Sequence, residues 1–330
     1  DSLEVKQMAI HVDITDVLSA RKRIASLVRH TPLEYSFYLS QRCGADVFVK
    51  WENQQLCKAF KIRGALNKML CLSEEEKKRG VVTASSGNHA QAIAYAAKML
   101  HVHAEICVPL ACPETKKNMV RARGGEWVQL HVVGSTFEET EQASFQLQRE
   151  KGLTYVSAFE DRLIAAGQGT LALEMLMDEP ELDVLICPVS GGGLIGGVAA
   201  AARALRPSIE IWGAFASCNT SWEVAWREGE VRLDAPEEDS LADALGGAAS
   251  PDMFAGVREH LTGVLGVTEA QIKESIALLH KEEHQIVEGG AAVSVAALLS
   301  GKIDVANKRV GVVISGGNID ETRLMAILGE

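Results

Sequence analysis

Apolar residues recur along this chain with two alternating periods. Residues 14–29 place Ile14, Val17, Leu18, Ala20, Ile24, Leu27 and Val28 on one helix face, and Thr31-Pro32 breaks the pattern. Asp46-Val47-Phe48-Val49-Lys50 then reads as a short strand, and Ala65 to Leu72 as a helix. Ser73 with Glu76 three positions on is a capping-box signature for a further short helix. From residue 80 to 157 the periods alternate as β-α-β-α-β-α-β: strands at 81–83, 103–108, 127–133 and 153–157, helices at 89–99, 116–123 and 137–151. Beyond Gly167-Gln168-Gly169 a helix is predicted over 170–177. The unbroken apolar run Asp183 to Val189 has the character of a strand buried on both faces. Helices at 198–205, 269–283 and 291–299 and strands at 210–215 and 309–314 complete the pattern, with 217–262 the least regular part. Strands alternating with helices throughout predict an α/β protein with parallel sheets covered on both faces.

Composition narrows the class. The 330 residues suffice for two domains or one large α/β unit, and no linker rich in Pro, Gly or Ser separates them. A formal charge of −11 without a basic tail argues against a nucleic-acid partner. The seven cysteines are scattered, with no zinc-ligand spacing, so the expectation is reduced thiols in a cytoplasmic protein and no metal site. No charged-then-apolar leader and no 18-residue apolar run occurs, so neither secretion nor membrane spanning is expected.

Three glycine-bearing turns sit where strands run into helices, the place where open parallel sheets bind ligands. Ser190-Gly191-Gly192-Gly193-Leu194 is the strongest phosphate candidate, because glycines let successive amides converge on one anion. It also satisfies GxGxxG at Gly191, Gly193 and Gly196, but the next strand ends in Phe215-Ala216-Ser217-Cys218 with no acid to hold a ribose, which disfavours a dinucleotide. Ser85-Ser86-Gly87-Asn88-His89 suits a small carboxylate, or is an ordinary capped helix start. Ser315-Gly316-Gly317-Asn318 is the third turn. Ala59-Phe60-Lys61-Ile62-Arg63-Gly64-Ala65 adds a lysine at a helix start, and pattern alone does not exclude its neighbour Lys58.

Taken in order, Thr31-Pro32-Leu33, Phe60 to Ala65, Ser85 to Gln91, Ala166-Gly167-Gln168-Gly169-Thr170, Ser190 to Leu194 and Ser315 to Asn318 resemble the fold-type II pyridoxal-phosphate enzymes. The resemblance is specifically to the serine/threonine dehydratase and serine racemase family, and it spans about Ile24 to Asp320. It implies the tryptophan synthase β-like fold: two open, twisted, mainly parallel sheets flanked by helices. Residues 1–52 and 154–330 would form the large cofactor-binding domain, with 53–153 inserted as the small one. It implies pyridoxal 5'-phosphate held by Lys61 as the internal Schiff base, Phe60 beside the ring and Asn88 on the ring hydroxyl. Ser190, Gly191, Gly192, Gly193 and Leu194 would take the phosphate, and Ser315 the pyridine nitrogen. Ser85, Ser86, Gly87, Asn88 and His89 would hold the substrate carboxylate, with Ser86 the second-face acid/base of racemases. Lys58 becomes a bystander, since only Lys61 has Arg-Gly at the family's spacing.

The implied reaction is β-elimination from a small hydroxy amino acid such as L-threonine or L-serine, giving a 2-oxo acid and ammonia, in a homodimer without a regulatory domain. Residues 134–139 resemble threonine dehydratases and lack the nearby arginine of racemases and hydroxyaspartate dehydratases, a resemblance that implies a neutral β-hydroxy substrate. Amino-acid racemisation, dehydration of another 3-hydroxy amino acid (hydroxyaspartate, phenylserine or one derived from hydroxyectoine) and non-catalytic amino-acid binding are the alternatives. Three positions depart from the family pattern. Ala59 replaces a serine, Glu288-Gly289-Gly290 replaces Glu-Pro, and Phe215 stands where many members carry a cation-binding glutamate.

Overall fold

The computed structural model describes residues 9–329; residues 1–8 and 330, the outer ends of the large-domain assignment, lie outside the described residues. In chain order the strands are β1 (Leu33–Tyr35), β2 (Asp46–Trp51), β3 (Val81–Ala84), β4 (Ala104–Val108), β5 (Val128–Val132), β6 (Thr154–Tyr155), β7 (Val184–Pro188), β8 (Glu210–Ala216), β9 (Gly263–Val267) and β10 (Arg309–Ile314). They form a six-stranded sheet in the order β1-β2-β10-β7-β8-β9 and a four-stranded sheet in the order β5-β4-β3-β6. Every pairing is parallel except that of β1 with β2. This is the two-sheet, mainly parallel α/β architecture that the alternation and the resemblance predict.

Local rules account for the elements. Ser73 and Glu76 close the expected capping box on the Glu74–Arg79 helix, and Thr268 with Gln271 does the same for Glu269–Glu282. All five residues of β7 are buried, because it lies between β10 and β8 with helices over both faces. β1 and β9 were not evident from the pattern: both are edge strands, one of three residues and one with two glycines among its five. Gly263 opens β9 where a Cβ would meet the Trp212 ring at 2.5 Å. Residues 217–262 also hold two helices, Ser221–Glu228 and Pro251–Val257, too short to show a clear period.

One departure from the expected elements bears on the site. The helix expected to begin at Thr170 runs from Arg162 to Asp178, capped by Asp161, with Gly167-Gln168-Gly169 in its middle. Here the glycines are packing surfaces rather than a stop. A Cβ at Gly167 would lie 2.6 Å from the Gly64 Cα, and one at Gly169 would lie 2.6 Å from the Gly197 carbonyl oxygen. The buried Arg162–Asp178 helix is thereby clasped between Lys61–Leu70 and Gly193–Leu205, at some cost in helix propensity. Gln168 reinforces the contact, its Oε1 accepting from the Gly64 N–H at 3.0 Å. This stack fixes the lysine-bearing helix relative to the helix that follows the triple-glycine turn.

Candidate active site

Lys61 opens its helix from a turn stitched to the third glycine turn. The Phe60 N–H donates to the Ser315 carbonyl at 3.0 Å, the Gly317 N–H donates to Lys58 O at 2.9 Å, and Ala59 and Gly316 form an antiparallel bridge. Cys57 and Lys58 both have positive φ, at 61° and 59°, which strains two consecutive non-glycine residues just before the lysine. Lys58 points to solvent, whereas Lys61 donates from Nζ to Ala158 O at 2.7 Å and lies 5.3 Å from the Phe60 ring centroid. Desolvation lowers the Lys61 ammonium to about 8, although the nearby Glu288 pulls the other way.

Below that helix lies a buried charge cluster that the sequence reading did not find. Arg63 is fully buried and forks onto two carboxylates. Its Nε and Nη2 reach Glu52 at 2.8 Å each, and its Nη1 and Nη2 reach Glu174 at 2.7 and 2.8 Å. Lys50 Nζ donates to Glu174 Oε2, which it shares with Arg63 Nη2, at 2.7 Å and to Thr31 O at 2.8 Å. Two cations and two carboxylates therefore balance within the core. Thr31 and Arg63 belong to motifs quoted above, but their partners are up to 111 residues away and of types that usually face water.

The second turn meets the third through side chains. Asn88 begins the Asn88–Leu100 helix. Its Nδ2 donates to Glu288 Oε1 at 2.8 Å, and its Oδ1 accepts from Asn318 Nδ2 at 2.7 Å. Asn318 Nδ2 also donates to Cys57 O at 2.8 Å. Glu288 is 5% exposed, and burial raises its carboxyl to about 7 against the Asn88 hydrogen bond, with Asp243 adding to the rise. Ser315 is buried at the end of β10, and Ser85 Oγ accepts from the Gly87 N–H at 3.3 Å, bracing the Ser85 to Asn88 turn. His89 is buried with Nε2 against Val156 O at 3.2 Å. Burial and the Lys61 charge push it down to about 3, so it stays neutral, and at the helix start it offers its backbone amide.

At the triple-glycine turn, Gly192 has φ of +101° and Gly193 is the first residue of its helix, so the turn proper is Ser190 to Gly192. Trp222 Nε1 donates to Ser190 O at 2.5 Å and the Ser250 N–H donates to Gly191 O at 3.2 Å, which pins the loop from two sides. Leu194 is buried in the core below. A Cβ at Gly191 would lie 2.2 Å from Phe159 Cγ, and one at Gly193 would lie 2.8 Å from Phe159 O. Residues 156–161, absent from the sequence-based site, are the hub: Val156 O meets His89, Ala158 O meets Lys61, and Phe159 covers the glycines. Lys68 pairs with Asp161 at 2.6 Å to tie this segment to the lysine-bearing helix.

The structure also accounts for one of the three departures. A Cβ at Gly289 would lie 2.0 Å from Leu241 O, so residues 240–247 approach closely only because position 289 is glycine. That loop reaches the triple-glycine turn, where Ser190 Oγ donates to Gly246 O at 3.3 Å. Ala59 is buried beside Gly316, and Phe215 is buried on β8. Among the described residues, no helix is long and apolar enough to cross a membrane.

Two mainly parallel sheets that bring glycine turns and a desolvated lysine together define a cofactor-dependent α/β enzyme. The chain belongs to the family described as pyridoxal-phosphate dependent enzyme, whose profile matches residues 24–316. It is 37% identical over 321 residues to an L-threonine ammonia-lyase of Thermotoga maritima, covering 97% of this chain and 79% of that protein. It is 34% identical to the catabolic L-threonine dehydratase of Escherichia coli, covering 96% of each. Its fold superposes on that of maize serine racemase with a TM-score of 0.90 at 33% identity, over 96% of each chain.

Proposed function

We propose that this enzyme eliminates water and then ammonia from a small hydroxy amino acid, L-threonine or L-serine, leaving a 2-oxo acid. The observation that supports this most is the convergence of Lys61, Asn88 and the Ser315 turn, joined through Glu288 and Asn318 beside the triple-glycine loop.

The residues present fit pyridoxal phosphate. A lysine lowered to about 8 carries a usable share of free amine near neutrality. The Ser190 to Leu194 turn offers amides at the start of a helix, with a positive φ that favours glycine at position 192. When bound, pyridoxal phosphate supplies the electron sink that makes a substrate Cα–H acidic. Lys61 Nζ would hold the cofactor and then take the α-proton, for which an amine depressed toward neutral pH is suited. Phe60 would flank the ring, Asn88 would donate to its hydroxyl oxygen, and Ser315 would meet its nitrogen with a neutral hydroxyl. The amides and hydroxyls of Ser85 to His89 would hold the substrate carboxylate. Residues 240–247, pressed against Gly289, would approach the substrate side chain.

Racemisation is the second reading, supported by the likeness to maize serine racemase and by Ser86 in the carboxylate turn. Seven free thiols, three of them only partly buried, suit a reducing cytoplasm. A homodimer is expected and would be read by analytical ultracentrifugation. The deciding assay is release of 2-oxo acid and ammonia from L-threonine, L-serine, hydroxyaspartate and phenylserine, with D-serine measured in parallel. Equal oxo acid and ammonia from threonine or serine supports the proposal. D-serine without oxo acid favours racemisation, and no product from any substrate refutes both.

A further inference from the structure

We infer that Glu288 is a positioning residue that aligns the Asn88 carboxamide, so that its one uncommitted N–H serves the cofactor's ring oxygen. The inference rests on the assignment of Asn88 to that oxygen and extends it to a residue to which no role is otherwise given.

The argument is one of donors and acceptors. A primary amide has one acceptor oxygen and two N–H donors, and its orientation is set by what surrounds it. Cys57 O is a carbonyl and only accepts, so the Asn318 atom 2.8 Å from it is the nitrogen. That same nitrogen lies 2.7 Å from Asn88, so Asn88 presents its oxygen there. The Asn88 nitrogen therefore faces Glu288, where Oε1 accepts at 2.8 Å. With the oxygen and one N–H engaged, a single donor is left and its direction is fixed about both ends of the amide.

Glu288 is itself held. Its N–H donates to Gly316 O at 3.2 Å, and a Cβ at Gly316 would come within 2.4 Å of its Oε1. A buried carboxylate of this kind has no packing advantage over an apolar residue, and its retention calls for a task. The charged groups around it are Lys61, Asp243 and Lys116, the last two paired with each other at 3.3 Å. None of them is hydrogen-bonded to Asn88, so the amide is aligned by Glu288 at its nitrogen and by Asn318 at its oxygen.

Three variants of the loaded enzyme separate alignment from charge: Glu288→Gln keeps the reach and an acceptor oxygen, Glu288→Asp keeps the charge but draws it back, and Glu288→Ala removes both. The readouts are the ratio of visible to near-ultraviolet cofactor absorbance and the cofactor dissociation constant. Asn88→Ala is the control. Alignment predicts that Gln stays close to wild type while Asp and Ala shift absorbance out of the visible band and weaken cofactor binding about tenfold. If Ala does not fold, Gln against Asp still decides. An Asp variant like wild type, or a Gln variant that shifts while Asp does not, overturns the inference. If Asn88→Ala itself leaves the spectrum unchanged, it is the assignment of Asn88 that fails.

Discussion

Replacing Arg63 with methionine should be among the most damaging single changes outside the reacting groups. Methionine roughly fills the arginine stem, so the loss is mainly electrostatic. It removes four hydrogen bonds to Glu52 and Glu174, leaving Glu174 with Lys50 and Glu52 with the neutral Thr31 hydroxyl. Breaking a buried ion pair typically costs about 3–5 kcal/mol. Against the ~5–15 kcal/mol of a typical folded domain that is a large fraction, and it falls on the helix that carries Lys61. Equilibrium urea unfolding at several pH values measures it. Burial pushes Glu174 up, yet Arg63 and Lys50 outweigh it and hold the carboxyl below its ordinary 4.5. In the native protein this stabilisation is present above 4.5 and is lost as pH falls through the lower folded value. Without Arg63 the Glu174 carboxylate takes up a proton more readily, so the penalty should be greatest near neutrality and narrow in acid. A penalty below ~1 kcal/mol at neutral pH, or one that does not narrow, would refute the reasoning.

Two other perturbations probe the site itself. Gly191→Ala drives a Cβ to 2.2 Å from Phe159 Cγ, so Phe159 must shift and carry the Ala158 carbonyl with it. The overpacking should cost about 1–3 kcal/mol and weaken cofactor affinity, and pairing it with Phe159→Ala should restore part of that affinity. Lys61 is lowered from 10.5 to about 8, chiefly by desolvation, so cofactor uptake by the apoenzyme should quicken as pH rises and level off above about 8. Stopped-flow absorbance across that range checks it, and a rate still climbing toward 10.5 would contradict it.

What the sequence made legible follows from locality. β-branched runs, the Ser73–Glu76 capping box and the three glycine turns depend on residues a few positions apart, and the pattern captured them. The Arg162–Asp178 helix was misread at its start because glycines at 167 and 169 look like breakers until the helices pressed against them are known. The Lys50, Glu52, Arg63 and Glu174 cluster was hidden because isolated charges read as surface. Phe159 gave no local pattern, and Glu288 was noted only as the head of an unusual Glu-Gly-Gly. The Asn88 to Glu288 contact joins residues 200 apart, and only the fold brings them together.

The central claim is that Lys61 is the residue that holds the cofactor. Reduction of the loaded enzyme with borohydride, followed by proteolysis and mass spectrometry, tests it directly. The account predicts one cofactor adduct per chain, on the peptide bearing Lys61, and none after Lys61→Ala. An adduct on Lys58 or another lysine, or a visible chromophore that persists in Lys61→Ala, would contradict it.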